Sequence, residues 1–209
     1  MSSAGEELPQ GFADRLLIRD LVENWAIWRD TGDWARLRSC WHAEGRMVAT
    51  WFEGSADEFV ALCRGGFERG VMAQHVLGAT AAEVVGTRAV AQTRMTIHQR
   101  AAVHGVECDA ACLGRFVDLL EKREGVWGIL LRQPVYEKDW LSPVAPDAQL
   151  SLDPALLARF PAGYRHLGYL QTAEGRQVRT DLPGFSGPAA DALRARCADW
   201  LARRDGTVP

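Results

Sequence analysis

The sequence predicts an α+β fold. Three amphipathic helical patterns occupy the first third of the chain, and four long β runs with hairpin-type breaks occupy the middle. Nowhere do strand and helix patterns alternate as βα units, which argues against a parallel-sheet architecture. At 209 residues the chain suffices for one domain with an ample core, or one domain plus an appendage. Apolar residues at 47% and charged residues at 24% are ordinary globular values and exclude a disordered chain.

Residues 1–11 read as a flexible tail. Residues 12–29 read as a helix, because Leu17, Leu21, Trp25 and Trp28 recur at helical spacing and line one face. Asp14 and Arg15 open it, and Asp30-Thr31-Gly32-Asp33 closes it with turn chemistry. Asp33 then caps a shorter helix through Leu37 to Trp41. Arg46 to Phe52 reads as a strand, with Met47, Ala49 and Trp51 alternating against Val48 and Thr50. Ser55 and Glu58 fit a capping box, in which each side chain satisfies a free helix-end N–H, for a helix reaching about Phe67. Phe59, Cys63 and Phe67 form its apolar stripe.

The β runs span about 73–85, 88–104, 106–122 and 126–140. Gly86-Thr87, Gly105 and Glu124-Gly125 separate them and suit hairpin turns. Beyond residue 142 the texture changes, and Pro143, Pro146, Pro154 and Pro161 punctuate irregular chain. Residues 188–203 recover a helix, with Leu193, Cys197, Trp200 and Leu201 on one face and Arg203-Arg204 at its C-terminal end. Three segments result: the tail at 1–11, the α+β domain at 12–142, and an extension at 143–209. The extension is expected to pack on the domain or on a neighbouring subunit.

Several functions are disfavoured. A net charge of −3 offers nothing to nucleic acid. Cys40, Cys63, Cys108, Cys112 and Cys197 follow neither a disulfide nor a zinc pattern, and reduced, mostly buried thiols suit the cytoplasm. The opening MSSAGEELPQ lacks the layout of a signal peptide, and no apolar run approaches the roughly 20 residues needed to cross a bilayer. No phosphate loop, dinucleotide fingerprint, nucleophile elbow or His-Glu-x-x-His motif occurs. His42 and His104 share no ligand spacing with His75 or His98, so neither a metal nor another cofactor is expected.

Four residues stand out chemically. Asp30 ends the first helix, where a carboxylate faces the negative end of the helix dipole, so it needs a compensating partner unless it only makes a turn. His75 lies near the start of the first long β run, as a half-buried polar group or as a base. Alternation puts Arg94, Thr96, His98 and Arg100 on one face of the next strand and Met95, Ile97 and Ala101 on the other. Arg132 follows an apolar run in a central strand, and a buried Arg requires an anionic partner or ligand. Eight tryptophans suit a pocket for a flat or hydrophobic ligand, or a large core.

In this order, Trp28-Arg29-Asp30-Thr31-Gly32-Asp33-Trp34, Leu37 and Trp41, a strand–helix unit, His75, and three strands ending in Gly125-Val126-Trp127 resemble the SnoaL-like family over about 12–142. That family belongs to the nuclear-transport-factor-two-like superfamily and includes scytalone dehydratase and hexachlorocyclohexane dehydrochlorinase. The resemblance implies a cone: a curved antiparallel sheet wrapped around N-terminal helices, enclosing a largely apolar pocket. It implies that Asp30 pairs with His75, that His98 is a second pocket histidine, and that Arg132 is a pocket arginine. Trp25 stands where the dehydrochlorinase has a pocket lysine, and Trp25, Trp41 and Thr96 would help to shape the pocket. The resemblance also turns the Arg94–Arg100 face inward, leaving an apolar convex face for another subunit to cover in a homodimer or homotrimer.

The implied function is that of a lyase without cofactor. His75 would abstract a carbon-bound proton from a small apolar or aromatic molecule, Asp30 would orient it, and His98 or Arg132 would stabilise developing charge. An isomerase or cyclase using the same pocket, and a binding protein without catalysis, are the alternatives.

Overall fold

The computed structural model describes residues 11–203, so residues 1–10 of the tail expected at 1–11, and Arg204, lie outside the described residues, and Gly11 is the N-cap of the first helix. Helix α1 spans Phe12–Thr31 and ends at Gly32, whose φ of 79° permits the left-handed cap that a side chain would disfavour. Its buried stripe is Ile18, Val22, Trp25 and Ala26; Leu17, expected inside, is exposed. Helix α2, Trp34–Ser39, is capped by the Asp33 side chain as its sequence predicts, and Trp41 already lies beyond it.

The expected strand at 46–52 is two strands. Strand β1 covers Trp41–Ala49 and β2 covers Phe52–Ser55, folded back antiparallel with Ala49 opposite Phe52. The turn at Thr50-Trp51 contains none of the usual turn residues, so nothing local announces it. Helix α3, Ala56–Glu68, begins with the predicted capping box complete. Its stripe buries Phe59 and Cys63 but leaves Phe67 exposed.

Four strands follow: β3 Ala73–Val85, β4 Arg88–Val103, β5 Val106–Arg123 and β6 Val126–Pro143. Two of their turns place consecutive residues at positive φ, His104-Gly105 and Glu124-Gly125, the twist that matches tight hairpins. The sheet order is β2-β1-β6-β5-β4-β3, an unclosed six-stranded sheet. It is not wholly antiparallel, because β1 joins β6 parallel. Register shifts at Leu77/Thr80, Leu113/Gly114 and Leu119/Leu120 bend the long strands. Helix α1 lies against β3 and β6 in the resulting hollow. Asp14 fastens its first turn to the sheet, accepting hydrogen bonds from Lys122 Nζ at 2.7 Å and Trp127 Nε1 at 2.8 Å.

Residues after β6 return over the sheet. They form α4, Pro154–Leu157, α5, Arg165–Ala173, and α6, Pro188–Ala202. Helix α5 was expected to be irregular chain and has no cap in its own sequence. Asp139 of β6 supplies one, accepting from the N–H groups of His166 at 2.5 Å and Leu167 at 2.8 Å and pairing with His166 Nδ1 at 2.9 Å. The segment before α5 runs so close to β6 that a Cβ on Gly163 would sit 2.3 Å from the Tyr136 carbonyl oxygen. Helix α6 covers the opposite face of the sheet, with buried Trp200 donating to the carbonyls of Ala89 and Leu120. All five cysteines are free, and among the described residues no helix is long and apolar enough to cross a membrane.

One ion pair lies wholly inside the core. Arg132 of β6 and Asp118 of β5 are register partners, both fully buried, joined by two hydrogen bonds of 2.7 Å. The guanidinium lies 4.3 Å from the Trp25 ring centroid and 4.5 Å from that of Phe116. Removing one charge strands the other in a medium that cannot solvate it.

Two outcomes follow from these contacts. Asp118→Asn should destabilise the fold by about 3–5 kcal/mol, measured by urea unfolding, whereas exposed His98→Ala should change it by less than about 0.5 kcal/mol. Gly163→Ala should raise hydrogen exchange in α5 while the β4–β5 ladder keeps its protection.

Candidate active site

The last turn of α1 and the start of β3 meet through one carboxylate. Asp30 Oδ2 accepts the backbone N–H of His75 at 2.5 Å, and Asp30 Oδ1 lies 2.8 Å from His75 Nδ1. Arg29 braces the same junction, donating from Nη1 to the Ala73 carbonyl at 2.8 Å and to Asp30 Oδ1 at 3.3 Å. Thus the carboxylate at the unfavourable end of the helix has the compensation its position demands.

The electrostatics fix the protonation states. Burial alone would raise the Asp30 pKa, but the hydrogen bonds and charge of His75, with Arg29, outweigh it and hold the carboxyl below its ordinary 3.8. Burial lowers the His75 pKa below 6.5 despite the Asp30 hydrogen bond, and the charges of Arg29 and Arg132 act in the same direction. The pair is therefore a carboxylate and a neutral imidazole. Nδ1 carries the proton and donates it to Asp30, which leaves Nε2 with its lone pair. Among the described residues Nε2 has no hydrogen-bond partner.

His75 faces an inner cavity of about 50 Å³. Its apolar wall includes Trp25, Phe59, Ile97 and Phe116, with the Trp25 ring edge-on to His75 at 5.3 Å between centroids. A polar wall stands on another side. Thr50 Oγ1 donates to Gln171 Oε1 at 2.6 Å, Gln171 Nε2 to Gln99 Oε1 at 3.3 Å, and Gln99 Nε2 to Glu174 Oε2 at 2.6 Å. Tyr136 joins this wall, and burial raises its pKa so that the phenol stays protonated. An outer vestibule of about 340 Å³ shares Trp51, Leu62, Val71 and Arg176 with the inner cavity and adds Arg69 and Glu174.

The structure brings together Asp30, His75 and Trp25. Trp41 packs edge-on to Trp25 behind the cavity wall and is nearly fully buried. His98 and Thr96 are elsewhere. His75 is paired across the ladder with Ile97, so those two share the inner face, while His98 is opposite Gln74 and both are exposed. Plain alternation is right and the inward-turned Arg94–Arg100 face is not: Met95 and Ile97 meet the core, and Gln99 is the polar residue of β4 that reaches the cavity. The apolar part of the convex face, around Val90, Val117 and Val135, is overlain by α6.

Arg132 is also not in the cavity. It lies behind Trp25 and Phe116, with Asp118 as its anionic partner. The signal for that pair was present, since Asp118 and Arg132 each interrupt an apolar run in neighbouring strands. Thr50, Gln99, Tyr136, Gln171 and Arg176 were not singled out, and Gln171 and Arg176 come from the extension. His42 and His104 are engaged separately, with the Glu121 carbonyl and the Tyr169 hydroxyl. Among the described residues no three of His, Cys, Asp and Glu cluster closely enough to hold a metal ion. A larger hollow of about 570 Å³ beneath α6 is lined by Val90, Val117, Leu193 and Cys197 but contains no histidine.

Comparison with known proteins agrees with this fold. The profile of the SnoaL-like domain matches residues 10–133. Pea pathogenicity protein 2 of Fusarium vanettenii is 37% identical over 197 residues, covering 91% of this chain and 84% of that protein. Among solved structures, a type 2 hexachlorocyclohexane dehydrochlorinase superposes with a TM-score of 0.54 at 15% identity, over 68% of this chain and 95% of its own. A putative scytalone dehydratase from Novosphingobium aromaticivorans gives 0.52 at 13% identity, over 68% and 97%. At these identities the structural matches speak for the fold, while the profile and the fungal relative speak for descent. The chain therefore belongs to the SnoaL-like family.

Proposed function

We propose that this protein is a cofactor-independent lyase that eliminates water or halide from a small apolar or aromatic molecule, with His75 as general base. The observation that carries the reading is the two-point grip of Asp30 on His75, which leaves Nε2 unpaired against an aromatic-walled cavity. Asp30 fixes the tautomer and stabilises the imidazolium that forms on proton transfer. The C–H proton goes to Nε2, the C–H electron pair becomes the new double bond, and the leaving group departs with its own bonding pair. A departing hydroxide takes the proton back from the imidazolium and leaves as water. The second amide hydrogens of Gln99 and Gln171 and the hydroxyl of Tyr136, all on the polar wall, would donate to an oxygen that gains charge during the reaction.

The inner cavity is smaller than the roughly 300–1,000 Å³ of typical ligand pockets. A substrate must therefore span the vestibule and widen the inner chamber as it enters.

Incubating the protein with a panel of small hydroxylated and halogenated carbonyl compounds, followed by product mass analysis, tests the proposal. Loss of water or hydrogen halide is expected; conserved mass would point instead to isomerisation. His75→Ala and Asp30→Asn should each lower the rate by about 10²–10⁴-fold with the fold intact by circular dichroism. Undiminished turnover in both variants would overturn the assignment.

The pH dependence has a definite sign. Folded His75 titrates below 6.5, its ordinary value, so the unfolded chain takes up that proton first as pH falls. The stability His75 contributes is complete above about pH 6.5 and is lost as pH falls through the folded pKa. The rate should fall on the same acid side, as the base is protonated. Urea midpoints and kcat/KM measured from about pH 8 to 5 should decline together in the wild type, with a flatter stability profile in His75→Ala.

A further inference from the structure

Arg176 follows α5 and lies at the junction of the inner cavity and the vestibule, lining both. Its guanidinium lies over Trp51, 4.7 Å from the ring centroid. The side chain is only 23% exposed, and its nearest carboxylate, Glu174, is 3.7 Å away, beyond hydrogen-bond distance. Glu174 is already engaged, accepting from Gln99 Nε2 at 2.6 Å. A guanidinium has five donors. Here it is mostly withdrawn from water, and its side chain makes no hydrogen bond among the described residues.

Its surroundings are cationic. Arg29 lines the inner cavity and Arg69 lines the vestibule. Burial works most strongly against the charge of Arg176, Glu174 and then Cys63 support it, and Arg29 and Arg69 add smaller opposition. Burial likewise raises the Glu174 pKa, with the charge of Arg176 and the Gln99 hydrogen bond opposing it. Arg29 is spoken for by Asp30 and the Ala73 carbonyl, whereas Arg69 has no carboxylate within salt-bridge distance among the described residues. A mostly desolvated guanidinium that makes no hydrogen bond and only a long ion pair to Glu174, with Arg69 nearby, is complementary to a bound anion, and its planar fork matches a carboxylate.

We propose that the substrate carries a carboxylate that docks in the vestibule on Arg176, with Arg69 adding to the attraction, while its reacting carbon reaches past Trp51 toward His75. This rests on the reading of His75 as the base and adds the class of substrate to it. The chemistry is consistent: removing a proton from a molecule that is already an anion places a second negative charge on it, and a paired guanidinium offsets the first. Trp51 beneath Arg176 gives the adjoining apolar part of the molecule a flat surface to lie on.

The test uses benzoate and its uncharged isostere benzamide as probes, titrated into the full chain and followed by tryptophan fluorescence with calorimetric confirmation. Benzoate should bind about 10- to 100-fold more tightly than benzamide, the range of a hydrogen-bonded charge pair. Arg176→Gln should abolish that preference while leaving benzamide unchanged, and Arg176→Lys should retain part of it. Arg69→Gln, an exposed substitution, should reduce the preference by a smaller factor and flatten its dependence on salt. His75→Ala should keep benzoate binding, so loss of the lyase reading and loss of the anion site give different results. Equal affinities for the two probes, a preference that survives Arg176→Gln, or no binding of either at about 10 mM would each overturn the proposal.

Discussion

The structure depends on a carboxylate placed where a helix least favours one. Asp30 lies in the last turn of α1, at the negative end of the helix, and the start of β3 compensates it with two donors from one residue while Arg29 adds its charge. The backbone N–H of His75 sets the height of the strand against the helix, and the ring N–H sets the tilt of the imidazole. Neither bond alone would fix both. Arg29 holds Ala73 in the same junction, so the strand that brings the base also closes the floor of the hollow. Packing of α1 in the curved sheet and chemical poise at Nε2 are therefore one arrangement, and a change to either side chain disturbs both.

A second charged pair supports the first from behind. Trp25 and Phe116 separate the His75 cavity from Arg132, and their rings form a wall with a cation stacked on its rear. Asp118 makes that cation tolerable in a core with no water. The fully buried Trp25 is thus gripped on both sides, and one face of the cavity is rigid. The face made by the extension is of another kind. It is polar, it is built from amides and a hydroxyl, and its residues come from distant parts of the chain.

What could be read from the sequence divides along the same line. The β runs were legible because their turns carry glycine at positions of positive φ, and the α3 start because its capping box is local. Asp30 and His75 were legible from the order of features. The β1–β2 hairpin was hidden by a turn of Thr50 and Trp51, and the start of α5 by a cap that comes from β6. His98 was misplaced because a one-residue choice of face moves every side chain in a strand, and here the alternation of Met95 and Ile97 with polar neighbours was the better guide. Arg132 was read as a buried cation in need of a partner, and the missing step was to set Asp118 opposite it. Gln171 and Arg176 had no local signal, because only tertiary folding brings residues that far along the chain to the mouth of a site formed by the first two thirds.

The same two-point grip occurs twice in this molecule, and the second instance bears on the wall of the site. Asp139 holds the beginning of α5 through the N–H groups of His166 and Leu167 and the ring of His166, a charge-assisted attachment nearly sealed from solvent on the carboxylate side. Further along, Leu167, Tyr169 and Leu170 are buried in the core, and the Tyr169 hydroxyl bonds to His104 and to the N–H of Asp153. The helix is thereby seated so that Gln171 reaches Thr50 and Gln99 at the cavity. One grip orients the imidazole and the other seats the helix that lines the same chamber, so a single device, a carboxylate spanning a backbone N–H and a ring N–H, sets two of its sides.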